Sequence, residues 1–218
     1  MCPTEAAVER LCAKGIIAVV RADSSEQLLD VARALLAGGV DCIEITMTTP
    51  DALRVIARCR QVFSDEALIG VGSVLNADLA NAAIAVGAQY VVSPIFDPGI
   101  IEAAHGAGLP AVPGAFSPTE ILAATNAGAD LVKVFPATRL GPGFFRDLLA
   151  PMPHLKLTPT GGVNLDTAGD FIRAGAVTLG VGSALVDKKA IRSGDLGVIE
   201  KLAAQFVQAV AEARQPAR

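Results

Sequence analysis

One lysine stands where its neighbours have no use for a charge. In Asp130-Leu131-Val132-Lys133-Val134-Phe135-Pro136, a short apolar run rich in β-formers follows Ala127-Gly128-Ala129 and ends at a proline. Runs of this length with such flanks read as buried strands. Taking an ammonium out of water is costly, so lysine is rarely placed in a buried strand without a partner or a task. Desolvation favours the neutral amine, the form that attacks carbonyl carbon. Two readings are open at this point. Lys133 forms an imine with a carbonyl substrate, or it pairs with a carboxylate for architecture alone.

A carboxylate for that pairing occurs in Cys42-Ile43-Glu44-Ile45-Thr46, a second apolar strand. Side chains two apart on a strand share a face, so Leu131, Lys133 and Phe135 form one set and Cys42, Glu44 and Thr46 another. If both sets face one interior, Glu44 and Lys133 stand at about equal height. The carboxylate would hold the lysine charged at rest and shuttle protons once the lysine is committed to an imine; a structural ion pair remains the alternative.

Thr160-Gly161-Gly162 and Gly180-Val181-Gly182-Ser183 carry a second signal. Glycine lets backbone N–H groups approach an anion closely, and hydroxyls add donors, although turns need glycine in any case. His105 and His154 are the only histidines, and the chain has no HxH, HExxH or cysteine cluster. A catalytic metal is therefore not expected, and no dinucleotide fingerprint follows the first strand. The chemistry is expected to rest on lysine, glutamate and hydroxyls, with no cofactor.

Elements that could position these groups follow a repeat. A glycine closes a helical stretch and an apolar run begins at once, at Ala37-Gly38-Gly39-Val40, Val86-Gly87-Ala88, Ala107-Gly108-Leu109, Ala127-Gly128-Ala129 and Ala174-Gly175-Ala176. Glycine just past a helix end accepts the left-handed conformation that terminates it. Gly87, Gly108 and Gly128 are spaced by 21 and 20 residues, and the wider gaps on either side have room for two units each. Eight strands result: Gly15 to Arg21, Val40 to Thr46, Ala67 to Gly72, Ala88 to Ser93, Leu109 to Pro113, Ala129 to Phe135, Leu155 to Pro159, and Ala176 to Gly182. Helices are expected from Ser25 to Ala37, Asp51 to Val62, Ala77 to Val86 and Pro118 to Asn126. Caps are expected at Asp23-Ser24-Ser25-Glu26, Thr49-Pro50-Asp51 and Ser117-Pro118-Thr119-Glu120. A further helix, roughly Thr4 to Lys14, precedes the first strand, and one from Gly197 to Ala213 closes the chain, with fraying expected after that.

Near-continuous apolar strands alternating with helices mean a parallel sheet covered on its outer faces. Eight such units predict an α/β fold: a single-domain (β/α)8 TIM barrel spanning residues 1–218, with an extra N-terminal helix. A doubly wound open sheet is the runner-up. In the barrel, sites form at the C-terminal strand ends. Arg21, Glu44, Thr46, Gly72, Ser73, Ser93, Pro94, Pro113, Gly114, Lys133, Phe135 and the two glycine–hydroxyl loops fall there, whereas the strand starts are Ala, Gly, Val or Leu.

Bulk properties narrow the class. The 218 residues are 52% hydrophobic but only 4% aromatic, so the core must be aliphatic and rich in alanine. A mixed net charge of -4 with no basic stripe argues against nucleic acid as a partner. No apolar window is long enough for a membrane helix, the N-terminus lacks signal-peptide regions, and Cys2, Cys12, Cys42 and Cys59 lack CxxC spacing. A soluble cytoplasmic protein with reduced thiols is expected.

The chain resembles the 2-keto-3-deoxy-6-phosphogluconate (KDPG) aldolase family of class I aldolases nearly end to end. The resemblance is carried by Ile16-Ile17-Ala18-Val19-Val20-Arg21, Ile43-Glu44-Ile45-Thr46, Gly70-Val71-Gly72-Ser73-Val74-Leu75, Val92-Ser93-Pro94 and Pro113-Gly114 leading to Ser117-Pro118-Thr119-Glu120. It is carried most by Val132-Lys133-Val134-Phe135-Pro136, Pro159-Thr160-Gly161-Gly162-Val163 and Gly180-Val181-Gly182-Ser183-Ala184-Leu185. It implies a phosphorylated keto-acid substrate cleaved to pyruvate and glyceraldehyde 3-phosphate. Lys133 would form the Schiff base, and Glu44 would act as acid/base through water. Thr160, Gly161, Gly162, Gly182 and Ser183 would bind phosphate, Arg21 and Ser73 would contact the keto-acid end or nearby hydroxyls, and Pro94 and Phe135 would shape the pocket. It also implies a homotrimer. Thr48 and Ser73 stand where relatives often carry arginine and threonine. The alternatives are the galactonate epimer or 4-hydroxy-2-oxoglutarate as substrate, a metal-independent phosphosugar synthase or epimerase using Lys133 as general acid, and a non-catalytic phosphosugar binder.

Overall fold

The computed structural model describes residues 2–21 and 26–215. In chain order α1 (Pro3–Ala13) precedes β1 (Ile16–Val20), α2 (Leu28–Ala37), β2 (Cys42–Thr46), α3 (Ala52–Phe63) and β3 (Leu68–Gly72). α4 (Ala77–Ala85), β4 (Val91–Val92), α5 (Pro98–Gly106), β5 (Ala111–Val112), β6 (Gly114–Ala115) and α6 (Pro118–Asn126) come next. The chain continues through β7 (Val132–Val134), a 3-10 turn (Ala137–Arg139), α7 (Gly141–Leu149), β8 (Leu157–Pro159), α8 (Leu165–Arg173), β9 (Leu179–Val181), α9 (Lys188–Ser193) and α10 (Gly197–Ala213).

Each expected strand is present with trimmed ends, the fifth reduced to Ala111–Val112, and a strand that was not expected, Gly114–Ala115, follows it. Pro113 has no N–H to give a ladder, so β5 stops before it and β6 resumes after it. The backbone still runs as one strand. Asp130 N donates to Ala111 O (3.1 Å), Lys133 N to Pro113 O (2.9 Å) and Phe135 N to Ala115 O (3.0 Å). All pairings are parallel, in the orders β5-β4-β3-β2-β1-β9 and β6-β7-β8. A Thr160–Gly180 bridge and a bond from Val177 N to Leu157 O (3.0 Å) link β8 to β9. The result is an α/β fold whose parallel sheet curls round on itself, consistent with a TIM-like barrel.

Alternation sorts the strand residues into two cores. Ile16, Ala18, Ile43, Ile45, Ile69, Val71, Val132, Val134, Leu179 and Val181 pack outward against the helices. Ile17, Cys42, Leu68, Tyr90, Val92, Val112 and Leu131 pack inward, and Leu11 of α1 joins them. Ile17, Cys42, Leu68 and Leu131 lie early in or just before their strands, so this inner layer sits at the N-terminal mouth and α1 plugs it. Two arginines tie the plug down. Arg10 donates to Asp41 Oδ2 (2.9 Å), Asp65 O (2.9 Å) and Glu66 O (2.7 Å). Arg214 donates to Ala13 O (2.6 Å), Cys12 O (2.7 Å) and Val177 O (3.0 Å). The fraying expected after Ala213 thus fails at Arg214, because three backbone carbonyls at the barrel floor hold its guanidinium.

Glycine ends the helical units as expected, with φ of 101° at Gly87, 70° at Gly108, 97° at Gly128 and 99° at Gly175. Ser117 and Glu120 form the expected capping box on α6, Ser117 N donating to Glu120 Oε2 (2.8 Å) and Glu120 N to Ser117 Oγ (3.3 Å). α3 differs: Asp51 precedes it with φ 53° and its carboxylate makes no cap bond. The cap expected at residues 23–26 falls largely outside the described residues.

Candidate active site

Lys133 is the middle residue of β7 and Glu44 the middle residue of β2, both facing inward one step above the apolar floor. β2 and β7 are not neighbours in the sheet, so the two side chains meet across the interior. Lys133 Nζ lies 3.8 Å from Glu44 Oε1, with Lys133 5% and Glu44 2% exposed. That distance is too long for a hydrogen bond, so Coulomb attraction alone joins the charges. Nζ also lies 5.4 Å from the centre of the Phe135 ring, whose face adds a second weak attraction for the cation. Phe135 is 38% exposed, which places the open side of the site above the lysine.

Two glycines on β3 make the space. A Cβ on Gly72 would collide with the Glu44 carboxylate, and one on Gly70 with the far end of the Tyr90 ring. Neither glycine has positive φ, so their role is volume, not backbone freedom.

Because every ladder is parallel, the C-terminal strand ends share one rim. Arg21 follows β1, Ser73 follows β3 with φ 59°, Pro94 follows β4, Phe135 follows β7, Thr160 to Gly162 follow β8, and Gly182 and Ser183 follow β9. Backbone bonds continue past the strands and hold these loops: Met47 N to Gly72 O (2.8 Å), Val74 N to Val92 O (3.2 Å) and Ala137 N to Thr160 O (2.8 Å). Gly161 and Gly162 have φ of 88° and 76°, a left-handed pair that side chains rarely adopt. Gly180 leaves room for the Thr160 side chain, and Thr138 packs against Gly162. Above Glu44, Thr46 Oγ1 and Thr48 Oγ1 are 2.9 Å apart, with Thr49 Oγ1 3.4 Å from Thr46.

Tyr90, Thr158 and Thr138 were not singled out by sequence reasoning, and Gly70 only as part of a longer segment. Tyr90 is the chain's only tyrosine and alternates with Val92, which was a usable signal. Among the described residues no group of three or more His, Cys, Asp or Glu could hold a metal ion. His105 lies outside the barrel interior and pairs with Asp130 Oδ2 at 2.9 Å. All four cysteines are free thiols, and burial pushes Cys42 well above and Cys59 up to about 11. No helix among the described residues is long and apolar enough to cross a membrane.

A family model for KDPG and KHG aldolase matches residues 8–202. The chain belongs to that family. It is a lyase. A 2-dehydro-3-deoxy-phosphogluconate aldolase of Treponema pallidum is 38% identical over 89% of this chain and 93% of its own length. A probable 2-dehydro-3-deoxy-6-phosphogalactonate aldolase of Rhizobium meliloti is 35% identical over 83% of this chain and 85% of its own. The solved KDPG aldolase of Legionella pneumophila, with pyruvate captured at low pH as a covalent carbinolamine intermediate, superposes with a TM-score of 0.86 at 27% identity. That match covers 92% of this aldolase and 97% of the other chain.

Proposed function

We propose that this aldolase cleaves KDPG to pyruvate and glyceraldehyde 3-phosphate by a Schiff-base mechanism, with Lys133 as the imine-forming amine and Glu44 as general acid/base. The observation that carries the reading is the buried Lys133–Glu44 pair at 3.8 Å, below the rim that the glycine–hydroxyl loops share. Lys133 adds to the C2 carbonyl and water leaves, giving a protonated imine. Glu44 takes the C4 hydroxyl proton through water, the C3–C4 electron pair moves into the imine as an enamine, and the aldehyde departs. The same proton returns to C3, and water hydrolyses the imine to pyruvate and free lysine. Arg21 and Ser73 contact the keto-acid end, Pro94 and Phe135 shape the pocket, and Thr160, Gly161, Gly162, Gly182 and Ser183 bind phosphate.

The whole chain, residues 1–218, is read as one (β/α)8 barrel domain with α1 as an extra helix, working without a cofactor in the cytoplasm. A homotrimer is supported by Leu75, Ile95 and Phe116, large exposed apolar side chains on three successive rim loops. A preference for the galactonate epimer is the second reading, favoured by the Rhizobium meliloti relative.

Borohydride reduction in the presence of pyruvate, followed by intact mass and peptide mapping, tests the mechanism. The expected result is a reduced pyruvate adduct on Lys133, absent in Lys133→Ala, which keeps its fold and loses cleavage. No adduct in the parent protein would overturn it and leave Lys133 as a general acid.

A further inference from the structure

Among the described residues four buried side-chain oxygens have no hydrogen-bond partner in the protein: Glu44 Oε1, Tyr90 OH, Thr158 Oγ1 and Thr178 Oγ1. Glu44 lies in β2 and Thr158 in β8, while Tyr90 and Thr178 immediately precede β4 and β9. Tyr90 and Val92 belong to the inner cluster with Cys42, whose face Glu44 shares. Leu157 packs outward, which turns Thr158 inward, and Thr178 is fully buried at the foot of β9. Register brings them close. Thr158 is level with Lys133, and the Thr160–Gly180 bridge makes Thr158 level with Thr178. Glu44 is level with Gly70, and the Val71–Val91 pairing sets Tyr90 beside Gly70 in turn.

The phenol end of Tyr90 lies over Gly70 and the Glu44 carboxylate over Gly72. Those glycines are two residues apart on one face, about 7 Å along the strand. Two waters in a chain of three hydrogen bonds of about 2.8 Å each span such a gap. Burial holds the Tyr90 hydroxyl well above its ordinary pKa, with the nearby Cys42, Glu44 and Asp41 adding to the shift, so it remains a donor. Buried hydroxyls and carboxylate oxygens are rarely left unmet, and ordered water is their usual partner where side chains are not.

We propose that Tyr90 and Thr158 are positioning residues for Glu44: with Thr178 they hold ordered water beneath the Lys133–Glu44 pair, and that water fixes the carboxylate for proton transfer. The hydroxyls break no covalent bond; they donate and accept hydrogen bonds only. The proposal rests on the reading of Glu44 as acid/base.

Tyr90→Phe and Thr158→Val remove one hydroxyl each while keeping shape, and Glu44→Gln provides the reference. In both hydroxyl variants kcat is expected to fall about ten-fold, part of the 10²–10⁴-fold that a general base supplies. KM and borohydride trapping with pyruvate are expected to hold, and Tyr90→Phe should add no further loss in the Glu44→Gln background. A kcat within about two-fold of the parent in the folded variants would overturn the proposal, as would full additivity with Glu44→Gln. If Tyr90→Phe does not fold, Thr158→Val decides alone. Parent-like kcat in Glu44→Gln would instead sink the acid/base reading itself, and this proposal with it.

Discussion

At the scale of single residues, the Lys133–Glu44 pair is loose. A 3.8 Å gap holds the ammonium by charge without a hydrogen bond that would have to break before the amine reacts. Gly72 leaves the carboxylate the space it occupies. Gly72→Ala therefore tests geometry while leaving both functional groups in the protein. The added methyl should push the carboxylate away and lower kcat about 10²-fold, with the pyruvate adduct on Lys133 still trapped by borohydride. Steady-state kinetics beside trapping reads this directly. A variant with parent-like kcat would mean that the carboxylate works equally well elsewhere.

At the scale of elements, strands hold Lys133 and Glu44, proposed as the reacting groups, and the loops after them hold the residues proposed to bind phosphate. β8 and β9 end in Thr160-Gly161-Gly162 and Gly182-Ser183, and the left-handed φ at both 161 and 162 turns the chain so that successive N–H groups can converge on an anion. Ser183→Asp places a carboxylate there and should raise KM for a phosphorylated substrate about ten-fold or more by like-charge repulsion. Trapping with pyruvate, which has no phosphate, should not change. An unaltered KM would remove Ser183 from the phosphate site. Helix caps illustrate the limit of local rules. Ser117 and Glu120 cap α6 as their spacing demands, and the two backbone N–H bonds from Ser117 and Phe116 hold the Glu120 carboxyl below its usual range. Asp51, in an equally suggestive stretch, takes a left-handed turn into α3 and caps nothing.

At the scale of the molecule, α1 packs against the end of the curled sheet opposite the candidate site. Leu11 is fully buried in the inner cluster, so Leu11→Ala opens a cavity in the floor beneath Tyr90 and Leu131. A loss of about 2–5 kcal/mol in urea unfolding is expected. The folded fraction should keep its kcat, because Lys133 and Glu44, the proposed reacting groups, stand one step higher in the curled sheet. A loss below about 1 kcal/mol would mean that α1 contributes little to closing the barrel.

Amino-acid order by itself was enough to find the strands, their inward faces and the residues at their ends. Alternation within Cys42 to Thr46 and Leu131 to Phe135 is a local property of extended chain, and it singled out Glu44 and Lys133 correctly as facing one interior. The helix-ending glycines were legible for the same reason, since left-handed φ is a local demand. Tertiary structure alone decided the rest. It was needed to learn that the ammonium and carboxylate stop 3.8 Å apart and that Leu11 of α1 fills the floor. The same holds for Arg214, whose guanidinium reaches three carbonyls, and for the buried, unmet oxygens of Tyr90, Thr158 and Thr178. Each of these depends on which side chains from distant strands and helices share a volume, and closure of the curled sheet, not sequence spacing, brings them together.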